Sequence, residues 1–367
     1  MNTYQYFIDY FKNAPTIIQV VWVMIVLFMV IIIILIIYLK LLRIKLRKNE
    51  KIVAQYQNEY ESNLIAYLYS GNEEEEISEE QQMIVDKLKS SVPDKFKRRV
   101  VVSTLLRLRN EISGEMAESI QKLYFQTGLI NYALSSLKSK KWYVVAKGIR
   151  ELAQFHVKEV NDQIVIHVNN PNKEIRKEVQ LYLVTLFHFE GLKFLDVLQT
   201  HLSEWDQIQL LEVLQRFDEQ EIPNINPWLK SKNDSVVIFA IKLAKIYNQF
   251  EAKDTLLELL EHPQKKIRVE AIQVLSHLQV YEAKELLKNK FDKLSLEEQI
   301  AFFKLLENVF ESSDESFLQE HIQHKNFEIK VSALKIFKLL NIEKFHSFKR
   351  LLIAPKDAEI IEFIENN

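Results

Sequence analysis

Two stretches decide the fold: His262-Pro263-Gln264-Lys265-Lys266-Ile267-Arg268, and Asn170-Pro171-Asn172-Lys173-Glu174-Ile175-Arg176, which lies 92 residues earlier. In each stretch a polar turn is followed by a β-branched residue. A small or apolar residue stands four positions after the β-branched residue, and an apolar residue stands eight positions after it. Five segments of the chain share this pattern, with β-branched anchors at Val144, Ile175, Val236, Ile267 and Ile329.

The anchors define a regular period. They are 31, 61, 31 and 62 residues apart, so each long gap spans two periods of 31 or nearly so. Asp206-Gln207-Ile208 and Glu298-Gln299-Ile300 fill the two gaps and lie 92 residues apart, which is three periods. In these two units Ser203 and Ser295 are predicted to cap the helices. The sequence therefore predicts about seven units over residues 141–345.

A unit of this length holds two short helices and two turns. Neither helix can bury its apolar face alone, so neighbouring pairs stack into a continuous core. Small residues four positions after the anchors allow paired helices to approach closely. The residues four positions after the anchors are Gly148, Val179, Ala240, Ala271 and Ala333, and the apolar residues eight positions after them are Leu152, Leu183, Ala244, Leu275 and Phe337.

The two quoted stretches resemble the turn and second-helix start of HEAT repeats, in particular the short subclass first named from phycobilisome lyases. In that family an Arg follows the β-branched residue. The Arg is present at Arg176 and Arg268, and is replaced by Lys330 in one unit and by Val145 or Val237 in others. The resemblance covers about residues 141–345 and implies an armadillo-like helical superhelix that mainly binds proteins.

Composition agrees with an all-helical chain. The 367 residues include only 5 Gly and 7 Pro, and hairpins, Rossmann turns and phosphate loops depend on Gly. The 48 Lys and Arg nearly balance the 50 Asp and Glu, so no general positive field attracts nucleic acid. The absence of Cys excludes a disulfide framework and thiolate metal sites.

An uncharged stretch near the N-terminus predicts a transmembrane helix. Ile17 to Leu39 is 23 residues long, 18 of them Ile, Leu, Val or Phe, and as a helix it would span roughly 35 Å. A cleaved signal peptide has its basic residues before a shorter apolar core, whereas here they follow a long one. We predict a short extracytoplasmic N-terminus over residues 1–16 and a transmembrane helix over residues 17–42.

The basic residues beside this stretch predict its orientation. Residues 1–16 carry only Asp9 and Lys12 as charged side chains. The other flank carries Lys40, Arg43, Lys45, Arg47, Lys48 and Lys51, opposed by Glu50 alone. The positive-inside bias then indicates a single-pass protein of a bacterial inner (plasma) membrane, with its N-terminus outside and its C-terminal domain in the cytoplasm.

The chain between the membrane helix and the repeats is predicted in three parts. Residues 43–71 form a cytoplasmic stalk helix, 72–82 an acidic linker, and 83–140 a divergent first helical unit. The stalk carries an apolar stripe of Val53, Tyr56, Tyr60, Leu64 and Tyr67. We favour packing of this stripe on the chain's own first helical unit, and the alternative is a homodimer through the stalk helix.

The charges of this region suggest a further site. The linker holds Glu73–Glu76, Glu79 and Glu80, and the helical stretch after it is strongly basic. Such runs are usually solvated faces, although the linker could act as a latch. Within the basic stretch, Lys95, Lys97, Arg98 and Arg99 are a candidate interaction patch. Residues 346–367 are predicted as a C-terminal cap.

We predict no catalytic, cofactor or metal site. HEAT-like di-iron hydroxylases use repeated His-Glu dipeptides, and none of the nine His here is followed by Glu. His321 and His324 have a spacing that suits a metal, but further ligands are missing from the pattern. Trp142, Trp205 and Trp228 are predicted as packing residues near inter-helix turns.

These features favour a membrane-anchored cytoplasmic HEAT-repeat scaffold that binds an unidentified protein partner in the groove of its α-solenoid, without nucleic acid or cofactor. A finer hypothesis, suggested by resemblance to bacterial membrane-anchored HEAT proteins, makes it accessory to a membrane-embedded glycosyltransferase or export complex. The alternatives are a membrane-tethered HEAT-like metalloenzyme and an anionic-lipid-binding sensor that uses Lys95–Arg99. The predicted fold class is all-α: an N-terminal transmembrane helix followed by an α-solenoid of HEAT-like helix pairs.

Overall fold

The structure is a computed structural model that describes residues 15–70, 77–217, 222–349, 360–362 and 364. Residues 1–14, the acidic stretch Glu73–Glu76 and most of the predicted C-terminal cap lie outside the described residues. The chain divides into two compact units, residues 1–134 and residues 135–367. Within the described ranges all regular secondary structure is helical, which confirms the all-α fold class.

The first unit consists of long helices. They are α1 Thr16–Tyr69, α2 Glu79–Ser91, α3 Lys95–Glu111, α4 Glu115–Gln126 and α5 Leu129–Leu137, the last of which crosses into the second unit. The predicted transmembrane and stalk segments are one unbroken 54-residue helix, α1.

Two boundaries in the first unit differ from the sequence prediction. Helix α2 already begins at Glu79, because Ser78 and Gln81 form a capping box, so the linker is shorter than predicted. Within the predicted first helical unit, the sequence from Ser113-Gly114-Glu115 to about Leu137 predicts one helix, and the structure breaks it before Leu129. Gly128 adopts a φ of +74° there, a backbone conformation that ends a helix.

The end of α1 packs on α2 and α3. Tyr60, Leu64 and Tyr67 are buried, and Val53 and Tyr56 are half-buried. Gln81 donates its side-chain amide to the carbonyl oxygen of Tyr67 at 3.0 Å. The last turns of the apolar stripe are thus covered by the same chain, which was the favoured interpretation, and the homodimer stays a prediction.

The N-terminal part of α1 is not covered by other described parts of the chain. All residues from 23 to 51 are exposed. Helix α1 is long and apolar enough to cross a membrane, and a signal sequence near an N-terminus has the same properties.

The second unit contains α6 Trp142–Gln154, α7 Asn161–Val165, α8 Lys173–Phe187, α9 Glu204–Leu214, α10 Asn226–Leu229, α11 Asp234–Ile246, α12 Lys253–Glu258, α13 Lys265–His277, α14 Tyr281–Lys288, α15 Leu296–Val309, α16 Glu315–His321, α17 Phe327–Leu340 and α18 Ile342–Lys349. Short 3-10 helices lie at His188–Asp196, Phe250–Ala252, Leu259–Glu261, Phe291–Lys293 and Ser312–Asp314.

Seven helices of this unit recur with the predicted period. They are α6, α8, α9, α11, α13, α15 and α17, here termed the B helices. They begin at residues 142, 173, 204, 234, 265, 296 and 327, so successive starts are 30 or 31 residues apart. Ser203 and Ser295 cap α9 and α15, each within a capping box. The shorter helical stretches that precede the B helices are termed the A segments, and the alternation is that of an α-solenoid.

The core lies between successive B helices. Helix α6 packs on α8, α8 on α9, α11 on α13, α13 on α15, and α15 on α17. The residues four and eight positions after the anchors are all buried, from Gly148 and Leu152 to Ala333 and Phe337. Four of the five anchors are buried as well, and Val144 is half-buried.

The A segment of the third repeat approaches its neighbour unusually closely. It is the 3-10 helix His188–Asp196 and contains the buried Gly191. A Cβ atom on Gly191 would lie 2.2 Å from the carbonyl oxygen of Leu183 in α8. Only glycine permits this approach without movement of the backbone.

We therefore expect Gly191→Ala to destabilise the protein by about 1–3 kcal/mol, since overpacking against a backbone carbonyl cannot be relieved by a side-chain rotation. Thermal unfolding of the full chain in lipid nanodiscs measures the effect. Lys193→Ala is the control, because Lys193 lies in the same segment and pairs with Glu190 on the surface. Equal unfolding temperatures for the two variants would contradict the close approach.

Candidate docking surface on the B helices

Helix α9 leaves part of its apolar face uncovered. Trp205 and Ile208 are 63% and 53% exposed. Leu211 and Val213 are half-buried, whereas their counterparts in α15, Phe303 and Leu305, are fully buried. The sequence aligns α9 with α15, and the two aligned helices nevertheless differ in burial.

Polar contacts at the junction of α9 and α11 explain the difference. Gln207 Oε1 accepts from Lys242 Nζ at 2.8 Å. Gln207 also donates to the carbonyl oxygen of Leu202 at 3.2 Å, and the Ser235 hydroxyl accepts from the Leu202 amide at 2.9 Å. At this junction the polar side chains pair with one another, and Ile208, which follows Gln207, stays open to solvent.

An ion pair joins α9 to α13, which lies two repeats further along the chain. Glu204, the first residue of α9, pairs with Lys266 of α13, which is 62 residues away. The hydrogen bond from Lys266 lowers the pKa of Glu204, and the same bond raises the pKa of Lys266. The N-terminal ends of α9 and α13 therefore come within side-chain reach across α11. Glu204, Trp205, Ile208, Lys242 and Lys266 are termed the α9 surface.

The predicted packing role holds for one of the three tryptophans of the second unit. Trp228 is buried and donates its indole N–H to Asp196 Oδ1 at 2.6 Å. Trp142 is 48% exposed, so the prediction is wrong for Trp142 and Trp205. Both stand in the first turn of a B helix, at the edge of the stacked faces.

The predicted interaction patch contains residues with different roles. Arg98 donates to the carbonyl oxygens of Val92 at 2.8 Å and Pro93 at 3.5 Å, and its guanidinium lies 3.9 Å from the ring centroid of Tyr132. Lys97 lies 5.5 Å from the ring centroid of Tyr56, and is half-buried. Lys95 and Arg99 are exposed.

Arg98 belongs to the turn motif of the repeats. Arg176 donates to the carbonyl oxygens of Asn170 and Pro171 at 2.8 and 3.0 Å. Arg268 binds those of His262 and Pro263 at 2.8 and 3.1 Å. In all three cases the Arg follows the Pro by five positions. This spacing was visible in the sequence of the first unit and would have identified Arg98 as a structural residue.

Histidines do not form a metal site in the described part of the chain. No group of three or more His, Asp or Glu there is placed to hold a metal ion. The rings of His321 and His324 stack with centroids 6.0 Å apart, and His321 Nδ1 donates to the Phe317 carbonyl oxygen at 2.7 Å. Burial lowers the pKa of His324. This arrangement gives no support to the metalloenzyme alternative.

One buried carboxylate joins α13 to α15. Glu298 accepts from Arg268 Nε at 2.5 Å and from the Ser295 hydroxyl and amide at 2.6 and 2.9 Å. Burial alone raises the pKa of Glu298, but the hydrogen bonds from Arg268 and Ser295 outweigh it and lower the pKa to about 2. Glu298 is therefore a structural ion that ties two units together.

Comparisons with known proteins concern the fold alone. No family model and no curated protein matches the chain. A solved Kap121p mutant is 11% identical over 81% of this chain and 39% of its own, with a TM-score of 0.49. The complex of CpcE and CpcF of phycocyanin lyase from Nostoc sp. PCC7120 is 10% identical over 81% and 97%, with a TM-score of 0.24. A designed armadillo repeat protein is 14% identical over 70% and 100%, with a TM-score of 0.22.

We expect Arg98→Ala to lower the stability of the full chain by about 1–2 kcal/mol, because two carbonyl oxygens and an aromatic face lose their partner. Arg99→Ala is the matched control, since Arg99 is exposed and adjacent. Thermal unfolding in nanodiscs distinguishes the two. Equal losses would show that Arg98 does not hold the turn.

Glu298→Gln tests the buried pair. The folded-state pKa lies below the ordinary value of 4.5, so the ionised form stabilises the fold above pH 4.5, and this stabilisation is lost as the pH falls towards 2. At pH 7 the variant should be less stable by about 2–4 kcal/mol. The difference should shrink steadily from about pH 5 to about pH 3. Denaturation at several pH values measures this, and a constant difference would contradict the role of the charge.

Proposed function

We propose that this protein is a membrane-anchored cytoplasmic scaffold whose B helices dock a protein partner. The exposure of Trp205 and Ile208 on α9 carries the proposal, because an uncovered apolar patch rimmed by charged groups is typical of a protein interaction site. The two residues are three positions apart and thus lie on one face of the helix. The charged groups of Glu204, Lys242 and Lys266 surround this apolar centre.

This arrangement has the chemistry of a protein interface. Tryptophan is enriched among the few residues that dominate binding energy, and such residues lie inside a rim of polar groups. A partner that covers Trp205 and Ile208 would remove their remaining apolar surface from water. The ion pair of Glu204 with Lys266 holds two rim groups in place before the partner arrives.

The apolar stretch of α1 supports the anchor. We propose that it spans the inner membrane with the N-terminus outside, since the six basic residues from Lys40 to Lys51 follow it on exposed positions. The tether would keep the B helices near the cytoplasmic ends of other membrane proteins. A membrane-embedded glycosyltransferase or export complex is the finer proposal for the partner, and it is supported only by the resemblance to anchored HEAT proteins.

Geometry disfavours the lipid-sensor alternative. The ring of Phe96, beside Lys95 and Lys97, contacts the ring of Tyr56 with centroids 6.2 Å apart. Tyr56 follows Lys40 by sixteen residues, and at 1.5 Å per residue this is about 24 Å along α1. Attraction to a charged lipid surface decays over roughly 8 Å at physiological salt. In an α1 that stands along the membrane normal, the basic start of α3 would lie beyond this range.

Photo-crosslinking tests the proposal. A benzoylphenylalanine in place of Trp205 should form an adduct with a defined protein, and the adduct should stay with the membrane after carbonate washing. Ile208→Glu should reduce the adduct roughly tenfold, as expected for an interface centre. A benzoylphenylalanine at Lys293, an exposed residue of an A segment, is the control. Equal adducts at both positions, or none at Trp205, would contradict a docking role for α9.

A further inference from the structure

The start of the first B helix concentrates positive charge. Residues 138–150 contain five basic residues and no acidic one. All five are exposed, and they are Lys138, Lys140, Lys141, Lys147 and Arg150. Trp142 and Tyr143 lie among them and are 48% and 53% exposed. We term Lys138, Lys140, Lys141, Trp142, Tyr143 and Lys147 the α6 surface.

The lysines of the α6 surface lack the carboxylate partners that many lysines of this unit have. Lys230, Lys253 and Lys344 each pair with a carboxylate about one period away. Arg150 pairs with the buried Glu178 of α8. Among the described residues, no carboxylate oxygen lies within 4.0 Å of the ammonium groups of the four lysines. The α6 surface therefore has uncompensated charge beside two uncovered aromatic rings.

We propose that the α6 surface binds an acidic protein segment with an aromatic or aliphatic residue that packs on Trp142 and Tyr143. The inference rests on the proposed scaffold function and names the chemistry of one partner segment. Carboxylates of the segment would pair with the lysines at both ends of the aromatic pair. Lys147 lies one turn from Tyr143 on the same face of α6, which suits a partner whose acidic and apolar residues are three or four positions apart.

The N-terminal end of α6 also favours the binding of a negatively charged group. No side chain caps this helix, because its N-cap is Lys141, which offers no acceptor. The first amide groups of α6 and the helix dipole are thus available to a carboxylate of the partner. The neighbouring B helices α8 and α9 have Asn172 and Ser203 as caps for the same groups.

A protein segment fits the surface better than a nucleic acid. The rings of Trp142 and Tyr143 are perpendicular, at 90° with centroids 5.8 Å apart, and so form no parallel platform on which successive bases could stack. The start of α8 carries Lys173, Arg176 and Lys177 beside Glu174, but the first turn of α9 carries Glu204 and Asp206 and no basic residue. These acids would repel a phosphate backbone that continued along the solenoid past the second B helix.

The test measures binding of a labelled peptide to the full chain in zwitterionic nanodiscs by fluorescence anisotropy. The probe is a helix-forming peptide of about twelve residues in which Glu alternates with Ala around one central Phe. A quadruple variant, Lys138→Glu, Lys140→Glu, Lys141→Glu and Lys147→Glu, should bind about tenfold more weakly or worse. The matched control changes four other exposed lysines, Lys232→Glu, Lys245→Glu, Lys293→Glu and Lys325→Glu, and should stay within about twofold of the unmodified chain.

One further variant of the chain and one of the peptide test the aromatic contact separately from the charges. Trp142→Ala should weaken the same peptide several-fold, and replacing the Phe of the peptide by Ala should have a similar effect. Equal affinities of the two quadruple variants, or tighter binding of a single-stranded oligonucleotide than of the peptide, would overturn the inference. The adduct at Trp205 should persist in the quadruple variant, so failure of the peptide with an intact adduct refutes only the α6 surface.

Discussion

The B helices of residues 135–367 cover one another's apolar faces, and most other features of this unit depend on that stacking. Ala240, Ala271 and Ala333 are completely buried where the helices meet, so a larger side chain would push whole units apart. Because each B helix packs mainly on the B helices next to it, a polar junction such as that of Gln207 with Lys242 changes what α9 exposes, while α13 still packs on α15 and α15 on α17.

Ion pairs between residues of successive A segments also join neighbouring repeats. Lys230 with Glu258, Lys253 with Glu282 and Lys344 with Glu315 join residues 28 or 29 apart. Exposed pairs of this kind contribute little stability individually. Asp314 differs, because it is completely buried and accepts from Lys284 at 3.2 Å and Lys288 at 2.6 Å. A shift between these repeats that displaced both lysines would leave the buried carboxylate of Asp314 unpaired, which is strongly destabilising.

The sequence predicted the repeat because its causes are local and periodic. Ser203 and Ser295 cap the helices of the two units that fill the gaps between anchors, and the residues four positions after the anchors, from Gly148 to Ala333, are buried. The uncovered face of α9 could not be predicted in this way. Ile208 has the same residue type and position as Ile300, and its exposure depends on how Gln207 and Lys242 fill the neighbouring junction. Tertiary contacts decide this, and composition does not.

Helix α1 contains neither Pro nor Gly from residue 16 to residue 69, the residues that most often kink helices. Its 54 residues extend about 80 Å at 1.5 Å per residue. The C-terminal end of α1 packs on α2 and α3, where Tyr60, Leu64 and Tyr67 are buried. A straight helix of this length acts as a lever. A rotation of ten degrees about one end would displace the other end by about 14 Å. Movement of the apolar end would therefore be transmitted to α2 and α3, which pack on the opposite end.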